Sequence, residues 1–385
     1  MEITKDIKYV GVNDHKIDLF EGQFVVPNGM SYNSYVILDE KIAVMDSVAE
    51  TFGAEWLENI KSVIGEKKPE YLVIQHMEMD HSNNILAFTQ EYPEAKIVAT
   101  KMAFAIMKCY FGNDFLEKQI IVTDCSKLEL GKHILNFVTA PNVHWPEVIM
   151  TYESTEKVLF AADGFGKFGA NDIEDPEGWD CEARRYYFGI IGKFGTFVQS
   201  ALKKLADFEI KIICSLHGPV LTENLNYYIN LYDIWSSYKP ESEGVMIAYT
   251  SIYGNTKKTV EKLAELLKSK GCKNVVVADL AREDLHECVE DAFRYEKLIL
   301  ATTTYCGGVF PKMREFIQNL TERNYQNRKV AFVENGAWGP LAAKCMEVLF
   351  VDSKNITFAE NKVTVKISMN EDTILQLEKL AEEMK

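Results

Sequence analysis

Residues 76–81 read His-Met-Glu-Met-Asp-His and place four potential metal ligands within six positions. They follow Tyr-Leu-Val-Ile at residues 71–74, an apolar run that predicts a buried strand, so the motif lies where a strand continues into a loop. Imidazole and carboxylate bind borderline and hard divalent metals. Alternation along an extended chain would point His76, Glu78 and Asp80 in one direction. A single His-x-Glu is ordinarily a surface ion pair, but four potential ligands directly after an apolar strand favour a metal site.

Three further positions extend the metal-site hypothesis. His144, Asp163 and His217 each follow an apolar run that predicts a strand. Taken singly, each has an ordinary explanation, since a histidine beside proline is usually a packed loop residue. Four strand ends that each present histidine or aspartate together favour one shared site.

The order of these residues resembles the metallo-β-lactamase superfamily: His-x-Glu-x-Asp-His, a later histidine, an Asp-Gly turn and His-Gly-Pro. Hydrolases of that superfamily commonly have histidine where this chain has Glu78. A carboxylate there makes the site harder and more negative, which suits iron better than zinc. The pattern is similar to that of flavodiiron proteins, also called A-type flavoproteins. The resemblance implies one iron held by His76, Glu78 and His144 and another held by Asp80 and His217, with Asp163 bridging the two.

The resemblance leaves four nearby residues without an assigned role. His81 matches a position that the family uses variably as a ligand. Glu21 stands in a segment where some relatives place a histidine facing the irons. Tyr186 and Tyr187 are candidate hydrogen-bond donors toward the metal centre, or equally ordinary residues of a packed helix.

Composition narrows the class of protein. The 385 residues are long enough for two domains, and 47% hydrophobic content supports substantial cores. A net charge of −15 argues against nucleic acid or an anionic membrane as partner. There is no 18-residue apolar run and no signal-peptide pattern at the start, so we expect a cytoplasmic protein. The eight cysteines contain no C-x-x-C pair, which indicates reduced thiols and excludes a rubredoxin module within these residues.

The secondary-structure pattern changes near residues 236–244, a polar stretch with proline and glycine. Upstream, short strands such as 35–38 and 42–45, which we expect to pair as a hairpin, are mixed with helices such as 56–63 and 102–110. This mixture predicts an αββα sandwich.

Downstream of that stretch, strands and helices alternate, which predicts a doubly wound parallel sheet. We therefore predict a metallo-β-lactamase-like diiron domain at 1–242 and a flavodoxin-like FMN-binding domain at 243–385.

The second domain has its own motif. Residues 250–256, Thr-Ser-Ile-Tyr-Gly-Asn-Thr, end its first strand and lead directly into a helix pattern. Hydroxyl groups and glycine at a helix N-terminus can surround a phosphate. The second domain has no Gly-Lys-[Ser/Thr] and no G-x-G-x-x-G, and the spacing instead resembles the FMN-phosphate loop of flavodoxins.

Two later strands, which we predict at 298–302 and 329–333, should end at the same edge of the sheet, where doubly wound folds bind ligands. The predicted FMN contacts are Thr250, Ser251, Tyr253, Gly254, Asn255, Thr256, Thr303, Thr304, Tyr305, Cys306, Gly307, Asn335, Gly336, Ala337 and Trp338.

The resemblance implies an oxidoreductase with FMN and two iron ions per chain that reduces O2 to water, NO to N2O, or both. It also implies a separate electron donor, such as a rubredoxin or a reduced deazaflavin, and a head-to-tail homodimer or dimer of dimers. Two other functions stay open at this point: a zinc hydrolase with an appended flavodoxin domain, and a non-enzymatic electron carrier.

Overall fold

The computed structural model describes residues 2–385 and forms two compact units, one ending at Asp233 and the other comprising Ile234–Lys385. The boundary that we predict between residues 242 and 243 falls inside the second of these units and stays a prediction. Within residues 2–385, no helix has the length and apolar character that crossing a membrane requires.

The first unit is built on two β-sheets. Its strands are β1 (Ile7–Tyr9), β2 (Val12–Asp14), β3 (Leu19–Phe20), β4 (Phe24–Val25), β5 (Met30–Tyr32), β6 (Tyr35–Ile37), β7 (Ile42–Met45), β8 (Pro69–Val73), β9 (Lys96–Ala99), β10 (Gln119–Ile121), β11 (Lys127–Glu129), β12 (Ile134–Thr139), β13 (Ile149–Glu153), β14 (Val158–Phe160) and β15 (Ile212–Cys214). One sheet has the order β1-β6-β7-β8-β9-β10 and the other the order β11-β12-β13-β14-β15. The predicted hairpin is confirmed, since β6 and β7 pair antiparallel.

The two sheets bury a common apolar core. Met45 and Val73 from the first sheet share one buried cluster with Phe137, Phe160 and Cys214 from the second. Apolar side chains from both sheets leave water together here, which is the main favourable term in forming such a sandwich.

Helices of the first unit connect the strands. They are α1 (Gly53–Ile64), α2 (Met79–Ser82), α3 (Ile85–Glu91), α4 (Lys101–Phe111), α5 (Asp180–Tyr186), α6 (Gly195–Leu205) and α7 (Leu225–Ser236), the last of which contains the division between units. The helices predicted at 56–63 and 102–110 are confirmed by α1 and α4. Local sequence explains the ends of α4: the Thr100 side chain accepts a hydrogen bond from the Ala103 N–H, and Gly112 ends the helix in the left-handed conformation.

The second unit is a doubly wound sheet, as predicted. Its elements are β16 (Ser242–Tyr249), α8 (Asn255–Ser269), β17 (Val275–Asp279), α9 (Leu285–Arg294), β18 (Tyr295–Tyr305), β19 (Gly308–Val309), α10 (Pro311–Glu322), β20 (Arg328–Asn335), α11 (Ala342–Val348), β21 (Ile356–Phe358), β22 (Val363–Val365) and α12 (Glu371–Met384). The parallel strands have the order β17-β16-β18-β20-β21, and β22 also pairs with β20. The connection reverses direction between β16 and β18, and a doubly wound sheet binds ligands beyond the carboxyl ends of such strands.

Two local predictions are wrong. Residues 79–82 form α2, so the extended alternation expected through Asp80 stops at Glu78. Residues 303–305 belong to β18, whose last residues Thr304 and Tyr305 pair with β19 in a tight hairpin. The α2 turn is closed by local hydrogen bonds from the His81 N–H to the Glu78 carbonyl and from the Asn83 N–H to the Met79 carbonyl, and the end of β18 is extended by its pairing with β19.

Candidate metal centre and second-unit pocket

Seven potential metal ligands from separate segments of the first unit meet in two adjoining groups. His76 and Glu78 follow β8, Asp80 and His81 lie on α2, His144 lies between β12 and β13, Asp163 follows β14, and His217 follows β15. Because α2 turns the chain directly after Glu78, Asp80 and His81 join a different group from His76 and Glu78.

The first group contains His76, Glu78, His144 and Asp163. The Nε2 atom of His144 lies 2.9 Å from Glu78 Oε2 and 3.2 Å from the Nε2 atom of His76. Asp163 Oδ2 lies 3.2 Å from each of these two imidazole nitrogens. Ligand atoms of both chemical types therefore face a common point.

The second group contains Asp80, His81 and His217. Asp80 Oδ2 lies 3.3 Å from the Nε2 atom of each histidine, and the two nitrogens lie 3.0 Å apart. The other oxygen of Asp163, Oδ1, lies 3.4 Å from His81 Nε2 and 3.7 Å from His217 Nε2. Asp163 thus presents one oxygen to each group, which is the geometry of a carboxylate that bridges two cations.

The electrostatics of the site fit bound cations. Both carboxylate oxygens of Asp80 and both of Asp163 are buried without a hydrogen-bond partner, and burying such anions is costly unless a cation compensates. Burial alone would raise the pKa of Asp163, yet His76, His144 and His81 hold it well below its usual range. Burial likewise lowers the pKa of His144, but Asp163 and Glu78 outweigh it and raise that pKa to about 9. Metal cations can take the place of these protons.

The second unit has a pocket of about 200 Å³ beyond the carboxyl ends of β16, β18 and β20. Its lining contains predicted FMN contacts from the ends of all three of these strands, together with Ile252 and Ile367, which the sequence analysis missed. The predicted residues in the lining are Ser251, Tyr253, Asn255, Thr256, Thr303, Thr304, Asn335, Gly336, Ala337 and Trp338.

The remaining predicted contacts are outside that lining. Thr250 is buried, and its hydroxyl lies 2.6 Å from that of Thr302, so its contact with FMN stays a prediction. Gly254 adopts φ 86° as the residue before α8 and allows the loop to turn there. Tyr305, Cys306 and Gly307 form the hairpin between β18 and β19.

The pocket has the chemistry of an anion site at one end. Ser251 Oγ accepts hydrogen bonds from the N–H groups of Gly254 and Lys257 and so holds the loop around the start of α8. The first N–H groups of this long helix have no partner within the helix and attract negative charge. At the other side, the Asn335 side chain donates to the carbonyl of Ile367 and accepts from its N–H, which fixes Ile367 at φ 70°. No local sequence signal marked Ile367, because a distant asparagine imposes its conformation.

Comparisons with known proteins agree with this geometry. Residues 30–218 match the model of the ODP family beta lactamase, and residues 246–344 match a flavodoxin domain. The chain is 28% identical over 373 residues to a nitric oxide reductase of Moorella thermoacetica, covering 94% of this chain and 92% of the relative. The flavodiiron protein of Giardia intestinalis is 26% identical with a TM-score of 0.93, covering 100% of this chain and 95% of that one. The rubredoxin oxygen:oxidoreductase of Desulfovibrio gigas is 25% identical with a TM-score of 0.92, covering 100% and 97%.

The chain belongs to the flavodiiron proteins. Its cofactors are accordingly FMN and a diiron centre, and each has a matching site. The seven ligand side chains, with their unpaired buried carboxylate oxygens, fit two iron ions. The hydroxyl-rich start of α8 and the pocket beside it fit FMN.

In this flavodiiron protein, Tyr186 and Tyr187, the two candidate hydrogen-bond donors, have different surroundings. Tyr186 is buried with its ring 5.6 Å from that of His217, and burial together with the charges of Asp163 and Asp80 raises its pKa well above the usual value. Tyr187 instead packs 5.1 Å from Tyr232.

Glu21, which also had no assigned role, lies beside Glu78 of the first group. Partial burial and the negative charge of Glu78 raise the pKa of Glu21 to about 7.

One backbone carbonyl and one side-chain carboxylate orient two of the ligand histidines. The Nδ1 atom of His217 lies 2.7 Å from the Ser31 carbonyl oxygen, and Nδ1 of His76 lies 2.9 Å from Glu147 Oε1. Each contact leaves Nε2 directed at the metal groups. Sequence reasoning missed Glu147, although it lies three positions after His144 in the same loop.

Proposed function

We propose that this flavodiiron protein reduces O2 to water, NO to N2O, or both, with electrons that pass through FMN from a separate donor. The observation that carries the proposal is the placement of Asp163, whose two carboxylate oxygens face two adjoining groups of imidazole and carboxylate ligands. The names of the Moorella nitric oxide reductase and the Desulfovibrio rubredoxin oxygen:oxidoreductase support the two substrates.

The proposed ligand roles follow the two groups. His76, Glu78 and His144 hold one iron, Asp80 and His217 hold the other, and Asp163 bridges them. His81 Nε2 is as close to Asp80 Oδ2 as His217 Nε2 is, at 3.3 Å each, which supports a ligand role for His81 at the second iron.

The cofactors supply the electrons. When bound, a pair of ferrous ions provides two electrons in total and a reduced FMN provides two more. These four electrons meet the need of O2 to become two waters, whereas coupling two NO to N2O and water needs two electrons. The chain's own residues orient the metal ligands and handle protons. Tyr186 keeps its phenol proton at neutral pH because its pKa is raised, so its hydroxyl stays a donor beside the site. Glu21 lies beside Glu78, and desolvation and the charge of Glu78 raise its pKa, which places a carboxyl group that can hold a proton next to the site.

Metal analysis, a visible spectrum and gas-reduction rates test this function. We expect two irons per chain, the yellow absorption of flavin, and turnover of O2 or NO with reduced rubredoxin as the donor. Zinc in place of iron with hydrolase activity would support the hydrolase alternative, and flavin without metal would support the electron carrier. Rates with both gases under one donor rank the substrates.

We further propose a cytoplasmic head-to-tail homodimer, or a dimer of such dimers, in which the FMN of one subunit serves the irons of the other. The free thiols of seven cysteines support a reducing compartment: Cys109, Cys125, Cys214, Cys272, Cys288, Cys306 and Cys345. A two-fold axis makes both flavin–iron contacts at once.

The test of this assembly mixes an Asp163→Asn chain, which lacks the bridge, with a Thr256→Glu chain, which lacks flavin. If cofactors pair across the interface, random pairing restores about a quarter of wild-type activity. Confirmed heterodimers without any turnover would exclude this arrangement.

A further inference from the structure

Glu147 contacts the diiron site without belonging to either ligand group. It is 2% exposed, and its Oε1 atom lies 2.9 Å from Nδ1 of His76, which is fully buried. The other ring nitrogen of His76 faces Glu78, His144 and Asp163. The imidazole therefore lies between the first metal group on one side and a buried carboxylate on the other.

The same carboxylate also holds the backbone of the metal-binding motif. Glu147 Oε1 accepts a hydrogen bond of 2.9 Å from the Met77 N–H, the peptide between His76 and Glu78. One oxygen atom thus fixes the ring of His76 and the chain that leads to Glu78. The Glu147 carbonyl is itself held by the Thr100 hydroxyl at the start of α4.

The negative charge of Glu147 has two close partners, the imidazole of His76 and the Met77 N–H, and both contact the same oxygen. Its second oxygen, Oε2, is buried without a hydrogen bond. Among residues 2–385, no lysine or arginine forms an ion pair with Glu147. A buried anion with so few partners acts strongly on the nearest polarisable group, because the surrounding dielectric is low.

The two metal groups differ in what lies behind their ligand histidines, at the Nδ1 atom. In the second group, His217 Nδ1 meets the neutral carbonyl of Ser31 at 2.7 Å, and Nδ1 of His81 is buried without a partner. Of the two groups that face Asp163, only the first has, among the described residues, a ligand histidine backed by a carboxylate. A carboxylate behind an imidazole raises its basicity and strengthens its bond to a metal.

We propose that Glu147 is a positioning residue that makes the two iron sites unequal: it orients His76 and Glu78 together and favours the ferric state at the first site. The inference rests on the diiron centre of the proposed function. It adds a residue to that centre and assigns the more strongly held, more easily oxidised iron to the group of His76, Glu78 and His144.

The test compares the Glu147→Gln holoenzyme with wild type by two measurements that do not depend on turnover. Iron retention is followed during chelator titration, and the midpoint potential of the diiron centre is measured by redox titration with electron paramagnetic resonance detection. We expect one of the two irons to be held about 10–100-fold more weakly. We also expect a higher diiron potential, since the charge that favours ferric iron is gone. The FMN potential in the same titration should not change.

Glu153→Gln is the matched control. Glu153 is also fully buried and lies 3.1 Å from Nδ1 of a histidine, His133, which belongs to neither of the two groups that face Asp163 but to a separate cluster with Asp6 and Glu156. Losing it removes the same kind of buried charge, so iron retention and potential should stay at wild-type values. If Glu153→Gln shifts both as Glu147→Gln does, the effect is one of general stability and the proposal is wrong.

A second variant separates charge from position. Glu147→Asp keeps the anion but shortens its reach, so we expect weaker iron retention with a potential closer to wild type than that of Glu147→Gln. Wild-type retention and potential in both Glu147 variants would overturn the inference. Wild-type protein that binds no iron at all would instead refute the proposed function, so the two failures are distinguishable.

Discussion

Replacing Arg328 by methionine should destabilise the second unit selectively. Arg328 begins β20, is 3% exposed, and its guanidinium binds backbone carbonyls rather than a carboxylate. Nε donates to the Tyr295 carbonyl at 2.8 Å, and Nη1 donates to the carbonyls of Tyr238 at 2.7 Å and Gln326 at 3.1 Å. Nη2 donates to the Phe293 carbonyl. The side chain therefore ties the segment before β16 to the sheet.

The magnitude follows from these four contacts, because the two others that the guanidinium makes, with the carbonyls of Asn327 and Lys239, are longer at 3.3 Å each. Each buried hydrogen bond contributes a net ~1 kcal/mol, and methionine keeps most of the aliphatic packing while leaving the carbonyls unpaired, so the loss in unfolding free energy is about 4 kcal/mol. For a unit of this size, 1 kcal/mol corresponds to a shift of about 2–4 °C, so the midpoint should fall by about 8–16 °C.

Unfolding of the second unit is followed by the rise in FMN fluorescence as the flavin is released. Calorimetry records the unfolding transition of the first unit. Arg282→Met is the control, because Arg282 is 72% exposed and its ion pair with Asp279 should contribute less than about 1 kcal/mol. A loss at Arg328 no larger than that of the control would refute the reasoning. It would also weaken the view that the second unit includes residues before the proposed boundary at 242.

Three other outcomes are expected. Glu78→His removes an anionic ligand and adds a softer one, so the ratio of zinc to iron in protein grown with both metals should rise; an unchanged ratio means that Glu78 does not set metal choice. Thr256→Glu places a carboxylate in the pocket at the start of α8, so FMN should be lost while both irons remain, and stoichiometric flavin would contradict the phosphate site. Hydrogen bonding to Glu153, with a contribution from Asp6, raises the pKa of His133 against the effect of burial. This stabilisation is present in full below the unfolded pKa and is lost as pH rises through the folded pKa, so His133→Gln should cost more unfolding free energy at pH 5.5 than at pH 8.5 in urea titrations.

Short-range features of the chain were predictable. The hairpin of β6 and β7 and the helices α1 and α4 follow from alternation, apolar periodicity and capping residues that lie within a few positions of one another. The mistakes arose where a turn or short hairpin interrupts the predicted pattern. Residues 79–82 turn into α2, and residues 304–305 extend β18 because β19, a few positions further along, pairs with them.

The chemistry of the metal site is visible in the residue types alone, because a side chain's affinity for metals is a property of its type and is retained wherever it lies. In this way we recognise as candidates His76, Glu78, Asp80, His144 and His217. Their grouping depends on the three-dimensional fold. The α2 turn separates Asp80 from Glu78, and the fold brings His81 to 3.0 Å from His217, 136 positions along the chain. The role of Glu147 was also invisible in the sequence, because a buried carboxylate acts through what it contacts, and its contact with His76 spans 71 positions.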